Sequence, residues 1–287
     1  MDTKDWVLLI TLYEEMNLTR TAKRLYTTQP SLTYRIKQIE SSLGIQILHR
    51  GNKGISFTAE GIYLVEHSKR MLKEERKLLD HLKNMKDELQ GTIRIGSSSN
   101  YAHYELPDLL ENFIKKYPNI EVELVTGWSS EILEKLQNET IHVAFLRGDF
   151  KWNSKKHILE KDNLHIISTN KIDLESLPQE NYIQYLTDLS LKNTIDKWWR
   201  DNYNSPVYTT MEVDRIETSI EMVKRGLGYT IVPAINIQNE NNLYTMPIKD
   251  NGKNIYRNTW LAYKEESLNL KVVDEFVRLI LKSSSVR

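Results

Sequence analysis

The chain has 287 residues, of which 40% are hydrophobic, and its 39 basic and 39 acidic side chains balance to a formal net charge of zero. This length suffices for two or three domains with apolar cores, and the absence of cysteine excludes disulfides, thiolate zinc sites and thiol-based redox sensing. No apolar run is long enough to span a membrane and the first residues lack the apolar segment of a signal peptide, so we expect a cytoplasmic protein.

Residues 17–58 predict a helix-turn-helix followed by a basic hairpin. In the first helix Leu18, Ala22 and Leu25 are spaced by four and three residues, which places them on one face. We expect this face to pack inward.

The second helix is predicted to begin near Gln29. Thr28 is a suitable N-cap, Pro30 fits a first turn that needs no N–H, and Gly44 is a suitable stop. Its apolar residues are predicted to form an inward stripe: Leu32, Ile36, Ile39 and Leu43. A helix of this size fits the major groove of B-DNA. Its cap and polar faces are the predicted DNA-contacting residues: Thr28, Gln29, Pro30, Ser31, Thr33, Tyr34, Arg35 and Lys37.

Basic residues are concentrated around this motif. From Thr19 to Thr58 there are seven basic residues against one acid, Glu40, although the whole chain is neutral. Local positive charge favours a phosphate backbone as partner, whereas the ordinary alternative is a solvated basic face. The turn residues and the hairpin favour DNA, so we predict that Arg50 and Lys53 of the hairpin reach phosphates or the minor groove.

The motif resembles the N-terminal region of LysR-type transcriptional regulators, and the resemblance runs from about residue 4 to the C-terminus. The matching segments follow the order of the family pattern: Ala22, Leu25, residues 28–33, residues 40–44 and residues 50–54. The resemblance implies a winged helix-turn-helix DNA-binding domain over residues 1–58. Arg20 and Thr21 stand where alanines are usual, and Tyr34 where a basic or amide residue is common, which affects the base preference and not the fold.

Residues 59–90 are predicted to form a linker and dimerisation helix. The segment has no proline, is rich in Lys, Glu and Leu, and carries one apolar seam: Val65, Leu72, Leu79, Leu82 and Leu89. A seam with charged flanks needs a cover, which a second copy of the helix supplies. The alternative is a helix packed on its own domain. The family resemblance favours a dimer, which can read two DNA half-sites, and implies that dimers pair into tetramers.

Alternating strands and helices from residue 91 predict an α/β effector-binding domain over residues 91–287. Its βαβαβ order implies a parallel sheet covered by helices on both faces. A second such unit follows, so we expect lobe 1 over about 91–162 and 259–287 and lobe 2 over about 163–258. The resemblance implies a two-lobed domain of periplasmic-binding-protein type with a small metabolite in its cleft. The fold class of the chain is thus α+β for the N-terminal part and α/β for the rest.

Ligands of open α/β sheets bind beyond the carboxyl ends of the strands. The residues at these ends are the predicted effector-binding residues: Ser98, Ser99, Asn100, Trp128, Ser129, Ser130 and Arg147. Arg257, at the second crossing between the lobes, is predicted to close on the ligand from the far side. Hydroxyls before helices and guanidinium groups bind anions, which indicates a multiply charged one. The alternatives are serines that only cap helices, and a salt bridge from Arg147 to an acid such as Asp149.

Three short patterns resemble the citrate-responsive branch of Gram-positive LysR regulators, such as catabolite control protein E. They are residues 91–99, residues 147–148, and Arg257 with Thr259. The likeness implies citrate or another di- or tricarboxylate as effector. Trp128 stands where small residues are more usual, which indicates a smaller pocket or a different acid.

The sequence lacks the motifs of catalysis. It has no nucleophile elbow, zinc-protease motif, P-loop or dinucleotide fingerprint, and its seven histidines include no pair at ligand spacing. We therefore predict no enzyme activity, no cofactor and no metal site. The predicted function is a transcriptional regulator that binds double-stranded DNA as a dimer or tetramer and responds to a small organic acid. The alternative is a cytoplasmic small-molecule binding protein whose N-terminal domain only dimerises.

Overall fold

Two units make up the chain in the computed structural model, Met1–Met85 and Lys86–Arg287. The structure describes residues 1–51, 54–85, 89–238 and 240–284. Among these residues, no helix combines the length and the apolar character that a membrane span requires.

The first unit consists of three short helices, a two-stranded hairpin and a long helix. In chain order they are α1 (Thr3–Glu15), α2 (Leu18–Arg24), α3 (Gln29–Leu43), β1 (Leu48–Gly51), β2 (Gly54–Phe57) and α4 (Ala59–Asn84). Thr28 caps α3 by accepting a hydrogen bond from the N–H of Ser31, and Gly44 ends it with a left-handed φ of 67°. The predicted start and stop of the recognition helix are therefore confirmed.

The core of the first unit lies where α1, α2, α3 and the start of α4 meet. Ala22 is buried in it, and Leu18 and Leu25 pack against it, as their spacing predicts. Three of the four predicted α3 residues are also buried: Leu32, Ile36 and Ile39. The prediction for Leu43 is wrong, because this residue is 45% exposed in the last turn of α3, which extends past the core.

Helix α4 is shorter than predicted and its apolar seam is divided. Val65 is fully buried in the core of the first unit, as the alternative of packing on its own domain predicts. Leu79 and Leu82, farther along, are 53% and 51% exposed. Leu89 lies beyond the end of α4 and packs against a core of the second unit instead. The exposed part of the seam therefore lies in the C-terminal half of α4.

The second unit alternates strands and helices. Its strands are β3 (Gly91–Ser98), β4 (Ile120–Gly127), β5 (Val143–Arg147), β6 (Lys155–Ser168), β7 (Tyr182–Tyr185), β8 (Thr209–Val213), β9 (Thr230–Pro233), β10 (Tyr244–Pro247), β11 (Lys249–Asp250), β12 (Lys253–Asn254) and β13 (Tyr256–Tyr263). Its α-helices are α5 (Ser99–Tyr104), α6 (Leu106–Lys116), α7 (Ser129–Gln137), α8 (Leu189–Asn202), α9 (Ile216–Lys224) and α10 (Lys271–Ser284).

A sheet that has seven strands in the described residues runs through this unit. Strands β4, β3 and β5 lie side by side and parallel, as the βαβαβ order predicts. Strand β13 then pairs antiparallel with β5 and β6, and β6 pairs antiparallel with β9 and β10. The sheet is therefore mixed and not parallel throughout, because β6 and β13 join it without a crossover helix.

Among the described residues, three apolar clusters pack against this sheet, and β6 contributes to two of them. Leu159 packs against the core formed by β3, β5, α6 and α10, whereas Leu164 belongs to the core formed by β7, β9, α8 and α9. Strands β6 and β13 thus connect two separately packed regions. Polar side chains of β6 and β13 lie between these two regions.

Candidate functional site

The exposed surface of α3 carries most of the predicted DNA-contacting side chains. Gln29, Pro30, Ser31, Tyr34 and Lys37 are exposed, and Tyr34 is 65% exposed although it is aromatic. Thr28 is occupied as the helix cap and Thr33 is half-buried. The first two turns of α3 therefore present a polar surface of the kind that reads base edges in a major groove.

Arg35 is engaged inside the first unit. Its Nε and Nη2 donate to the Asp5 carboxylate at 2.5 and 2.8 Å, and Asp5 is only 1% exposed. Burial by itself would raise the pKa of Asp5, but the hydrogen bond from Arg35 and the backbone bond at Asp2 together lower the pKa below its usual value. The contact therefore stabilises the fold above the ordinary aspartate pKa and is lost as pH falls through the lowered one. Arg35 ties α3 to the first turn of α1.

Two further arginines of the predicted basic cluster are also paired with acids of α1. Arg24 contacts Glu14 at 2.7 Å and Glu15 at 3.0 Å, and Arg20 lies 3.6 Å from Glu15. Glu14 and Glu15 precede Thr19, so they are not part of the seven-to-one excess of basic residues counted from Thr19 to Thr58. In the described part of α2 and α3, Lys23 and Lys37 are the exposed cations that have no acid within ion-pair distance.

The Lys37→Ala variant is expected to lower DNA affinity and to reduce the slope of log affinity against log salt by about 1 for each bound subunit. Its melting temperature should equal that of the wild type, because Lys37 is exposed and has no hydrogen bond or ion pair with the described residues. Arg35→Ala is the matched variant and should lower the melting temperature of that unit by about 5 °C. Binding titrations at several salt concentrations, together with thermal melts, measure both effects.

An Arg35→Ala protein that melts like the wild type but has a reduced salt slope would instead make Arg35 a phosphate contact. For the hairpin, the structure places Arg50 in β1 opposite Ile55. It gives the backbone of Arg50 only, and Lys53 lies outside the described residues. The predicted phosphate contacts of both side chains remain predictions.

A cluster of buried polar side chains lies in the second unit around the end of β5. Arg147 is the last residue of β5 and is 3% exposed. Thr259 of β13 is its cross-strand neighbour, and the same strand places Arg257 opposite Asp162 of β6. Because residues two apart on a strand share a face, Arg147, Thr259, Arg257 and Asp162 point to the same side of the sheet.

Each arginine of this cluster has a carboxylate partner. Arg147 contacts the carboxylate of Asp162, and its other terminal nitrogen donates to the side chain of Asn100. Arg257 contacts the carboxylate of Asp188, which also caps α8 by accepting from the N–H of Leu191 at 3.0 Å. Burial, and next the nearby Arg257 cation, lower the pKa of Arg147, whereas burial raises the pKa of Asp162.

The cluster extends through Asn100 and Asp162 to the turn that follows β9. The Asn100 side-chain amide donates to the carboxamide oxygen of Asn236 at 3.0 Å, and Asp162 accepts from the N–H of Ile235 at 3.1 Å. Asn236 and Ile235 belong to the short 3₁₀ turn that follows β9. The polar cluster therefore joins β5 and α5 on one side to the β9 end on the other.

Three buried donor groups in the cluster have no hydrogen-bond partner among the described residues. They are Nε of Arg147, Nε of Arg257 and the hydroxyl of Thr259, whereas the side-chain amide of Asn236 faces the hydroxyl of Tyr104. Their residues are between 0% and 8% exposed. Buried donors in proteins almost always have acceptors, so a group of three on one cluster indicates an acceptor-rich ligand.

A close approach of α8 to the β5 end leaves little space beside Arg257. Gly148 has a φ of +88°, and a Cβ there would lie 2.6 Å from the hydroxyl of Ser190 in the first turn of α8. The cavity that these residues line with Arg257 and Tyr256 has a volume of about 20 Å³. That volume holds about one water molecule. A metabolite does not fit into this cavity while α8 stays in the observed position.

The other predicted effector residues contribute less to this cluster. Ser98 caps α5 by accepting from the N–H of Tyr101, which is the ordinary alternative for a serine at a helix start. Ser129 accepts from the backbone N–H of Arg147 at 3.0 Å. Ser99 and Ser130 are exposed, and Trp128 is 43% exposed. Only Asn100, Ser129, Arg147 and Arg257 are therefore part of the cluster or in contact with it.

Sequence reasoning missed four members of the cluster and named the wrong partner for Arg147. Asp162, Asp188 and Asn236 were not named at all, and Thr259 was named only as part of a family likeness and not as an effector-binding residue. Of these only Thr259 had a local signal, since it lies two residues from Arg257 on one strand. The suggested salt bridge to Asp149 is replaced by one to Asp162, because the strand register places Asp162 on the same buried face. In the described residues, no group of three or more His, Asp or Glu side chains could hold a metal ion.

Two protein-family models match the chain. The model described as "Bacterial regulatory helix-turn-helix protein, lysR family" matches residues 3–62. The model described as "LysR substrate binding domain" matches residues 86–285.

Similar sequences cover nearly the whole chain. An uncharacterized HTH-type transcriptional regulator, YraN, of Bacillus subtilis is 46% identical over 278 residues, which is 96% of each chain. A second regulator of that organism, YkuM, is 32% identical over 98% of this chain and 97% of its own.

Solved structures share the fold at low sequence identity. Full-length CbnR in complex with its target DNA has a TM-score of 0.69 at 19% identity, over 99% of this chain and 100% of that one. The full-length AphB N100E variant has a TM-score of 0.69 at 17% identity, over 98% of each chain.

Proposed function

Since the chain belongs to the LysR family of bacterial transcriptional regulators, we propose that it binds operator DNA as a dimer and responds to a small organic acid held by the buried polar cluster. The observation that supports the acid is the group of three buried donors without acceptors around Arg147: Nε of Arg147, Nε of Arg257 and the hydroxyl of Thr259. A carboxylate supplies several acceptor lone pairs in a small volume.

The DNA contacts proposed here come from α3 and the hairpin. The exposed residues of the first two turns of α3 read base edges, and Lys37 with Arg50 and Lys53 contacts phosphates. A small-molecule binding protein whose N-terminal domain only dimerises is not favoured, because residues 3–62 match a DNA-binding family model.

The proposed dimer forms through the C-terminal half of α4. Leu78, Leu79, Leu82 and Met85 are between 51% and 77% exposed, which is a large apolar surface for one helix. A second copy of α4 covers this surface, and two dimers pair into a tetramer on longer operators. The two recognition helices of a dimer then read two half-sites.

The charge balance of the cluster limits the effector. Arg147 and Arg257 are each paired with an aspartate, so these four side chains are together neutral. A ligand with three carboxylates adds three charges to a neutral buried site, and each uncompensated charge there costs several kcal/mol. The likeness to the citrate-responsive branch suggests citrate, whereas the charge balance favours an acid with one carboxylate.

The proposed response links ligand entry to the position of α8. A ligand carboxylate accepts from Nε of Arg147 and Arg257, and its entry moves the first turn of α8 away from Gly148. The two cores that meet at the cluster then change their packing, which in the oligomer changes the spacing or the bend of bound DNA. Transcription follows the concentration of the acid.

A thermal-shift panel on the full chain tests the effector proposal. The panel contains citrate, a dicarboxylate, aliphatic and aromatic monocarboxylates, and sulfate as an anion without a carboxylate. We expect at least one carboxylate, and not sulfate, to raise the melting temperature, since a ligand of the folded form stabilises it by mass action. If no carboxylate raises the melting temperature, an organic-acid effector is wrong, while the DNA-binding assignment is unaffected.

Replacing Thr259 with Val is expected to leave the melting temperature without ligand unchanged or slightly higher. The hydroxyl is fully buried and has no partner, so a side chain of similar shape without it loses no hydrogen bond. The same change should weaken the active acid of the panel about tenfold, because it removes one donor to the carboxylate. An unchanged affinity would place the ligand elsewhere.

A further inference from the structure

Tyr26 lies in the turn between α2 and α3 in an unfavourable backbone conformation. Its φ is +53°, in the left-handed region. The N–H of Tyr26 donates to the carbonyl of Lys23 at 3.2 Å, and the N–H of Thr27 donates to that of Ala22 at 2.9 Å. This is the hydrogen-bond pattern of a helix end that normally carries glycine or asparagine at the left-handed position. A residue with a Cβ is disfavoured there.

The side chain of Tyr26 makes no contact that offsets the cost of this backbone conformation. It is 98% exposed, so it buries almost no apolar surface. Among the described residues, its hydroxyl has no hydrogen-bond partner. A strained and fully exposed aromatic residue is expected to have a role in binding.

The position of Tyr26 indicates which part of the DNA it meets. In a helix-turn-helix the first helix crosses the sugar-phosphate backbone, and the N-terminal residues of the second contact base edges. Tyr26 connects these two helices and precedes the capping residue Thr28 by two positions. With α3 in a major groove, Tyr26 would lie over the edge of that groove, on the same turn as the exposed cation Lys23.

Resting on the proposed operator binding by α3, we propose that Tyr26 is a DNA-contacting residue whose phenol hydroxyl donates to a phosphate at the edge of the groove that α3 enters. Tyrosine hydroxyls are among the common donors to phosphate oxygens. A phosphate contact carries no base information, so Tyr26 positions α3 and does not read sequence. The strained backbone at Tyr26 lowers the stability of the free protein, and the contact that the side chain makes exists only on DNA.

Three variants of the full chain test this inference. Tyr26→Gly removes both the strain and the hydroxyl, and Tyr26→Phe removes the hydroxyl alone. Met16→Gly is the matched control, because Met16 also has a left-handed φ, of 47°, and is 45% exposed at the end of α1. The probe is a DNA duplex that the wild-type protein enriches from a random-sequence library.

Stability and affinity should change in opposite directions. Tyr26→Gly is expected to melt a few degrees higher and to bind the duplex about tenfold more weakly. Tyr26→Phe should keep the wild-type melting temperature and lose most of the same affinity. Met16→Gly should melt higher and bind like the wild type. The salt slope should be unchanged in the Tyr26 variants, because no charge is removed.

Two results would overturn the proposal. If Tyr26→Phe binds as tightly as the wild type, the hydroxyl makes no contact with a phosphate. If Tyr26→Gly and Met16→Gly weaken binding equally, the loss comes from backbone freedom near the motif and not from the tyrosine.

Discussion

The double variant Leu79→Asp with Leu82→Asp is expected to be monomeric and to bind operator DNA at least a hundredfold more weakly than the wild type, roughly the gain that linking two binding modules provides. These leucines lie on the part of α4 that the first unit leaves exposed. Two carboxylates placed in a helix-helix seam would be buried without partners, which opposes association. Sedimentation measures the oligomeric state, and a binding titration measures the affinity.

A matched control separates dimerisation from charge. The double variant Lys77→Gln with Asn84→Asp makes the same change in net charge on the opposite face of α4. It should remain oligomeric and bind DNA within a few-fold of the wild type. If the leucine variant remains a dimer, the proposed seam on α4 is wrong and the exposed leucines have another cover.

Replacing Arg147 with Met is expected to destabilise the second unit by about 3–5 kcal/mol, the usual effect of removing one partner of a buried ion pair. Asp162, which is 4% exposed, loses its main cationic partner in this variant. Denaturant unfolding followed by tryptophan fluorescence measures the loss, since five of the six tryptophans lie after residue 86. The single variant therefore cannot by itself report on ligand binding.

The double variant Arg147→Met with Asp162→Asn distinguishes stability from response. The asparagine keeps an acceptor for the N–H of Ile235 and removes the buried charge, so most of the lost stability should return. The stabilisation by the active acid should stay absent, because the guanidinium is missing. A double variant that recovers the ligand response would limit Arg147 to a structural role.

The charge pattern around the recognition helix is less simple than its local count. Three of the basic residues that suggested a phosphate-binding surface are paired with acids of α1: Arg20, Arg24 and Arg35. Lys23 and Lys37 are the described cations of α2 and α3 without such a pair, although the side chains of the three arginines are still 43% to 65% exposed. The family assignment does not depend on that count, because two family models and full-length relatives support it.

The sequence by itself determined the elements whose signals act within a few residues. Thr28, Pro30 and Gly44 set the start and the end of α3, because capping and proline geometry depend only on neighbouring backbone groups. The spacing of Leu18, Ala22 and Leu25 predicted the buried face of α2 in the same way. The family motif, read from these same residues, identified the helix-turn-helix.

Only the tertiary structure decided which charges are free and which are paired. Asp5 and Arg35 are 30 residues apart, and their contact exists because α1 and α3 pack together. The pairing of Arg147 with Asp162, and the burial of Thr259 beside them, depend on the register of β5, β13 and β6. Side-chain charge is visible in a sequence, but its partner and its distance from water are set by packing between segments far apart in the chain.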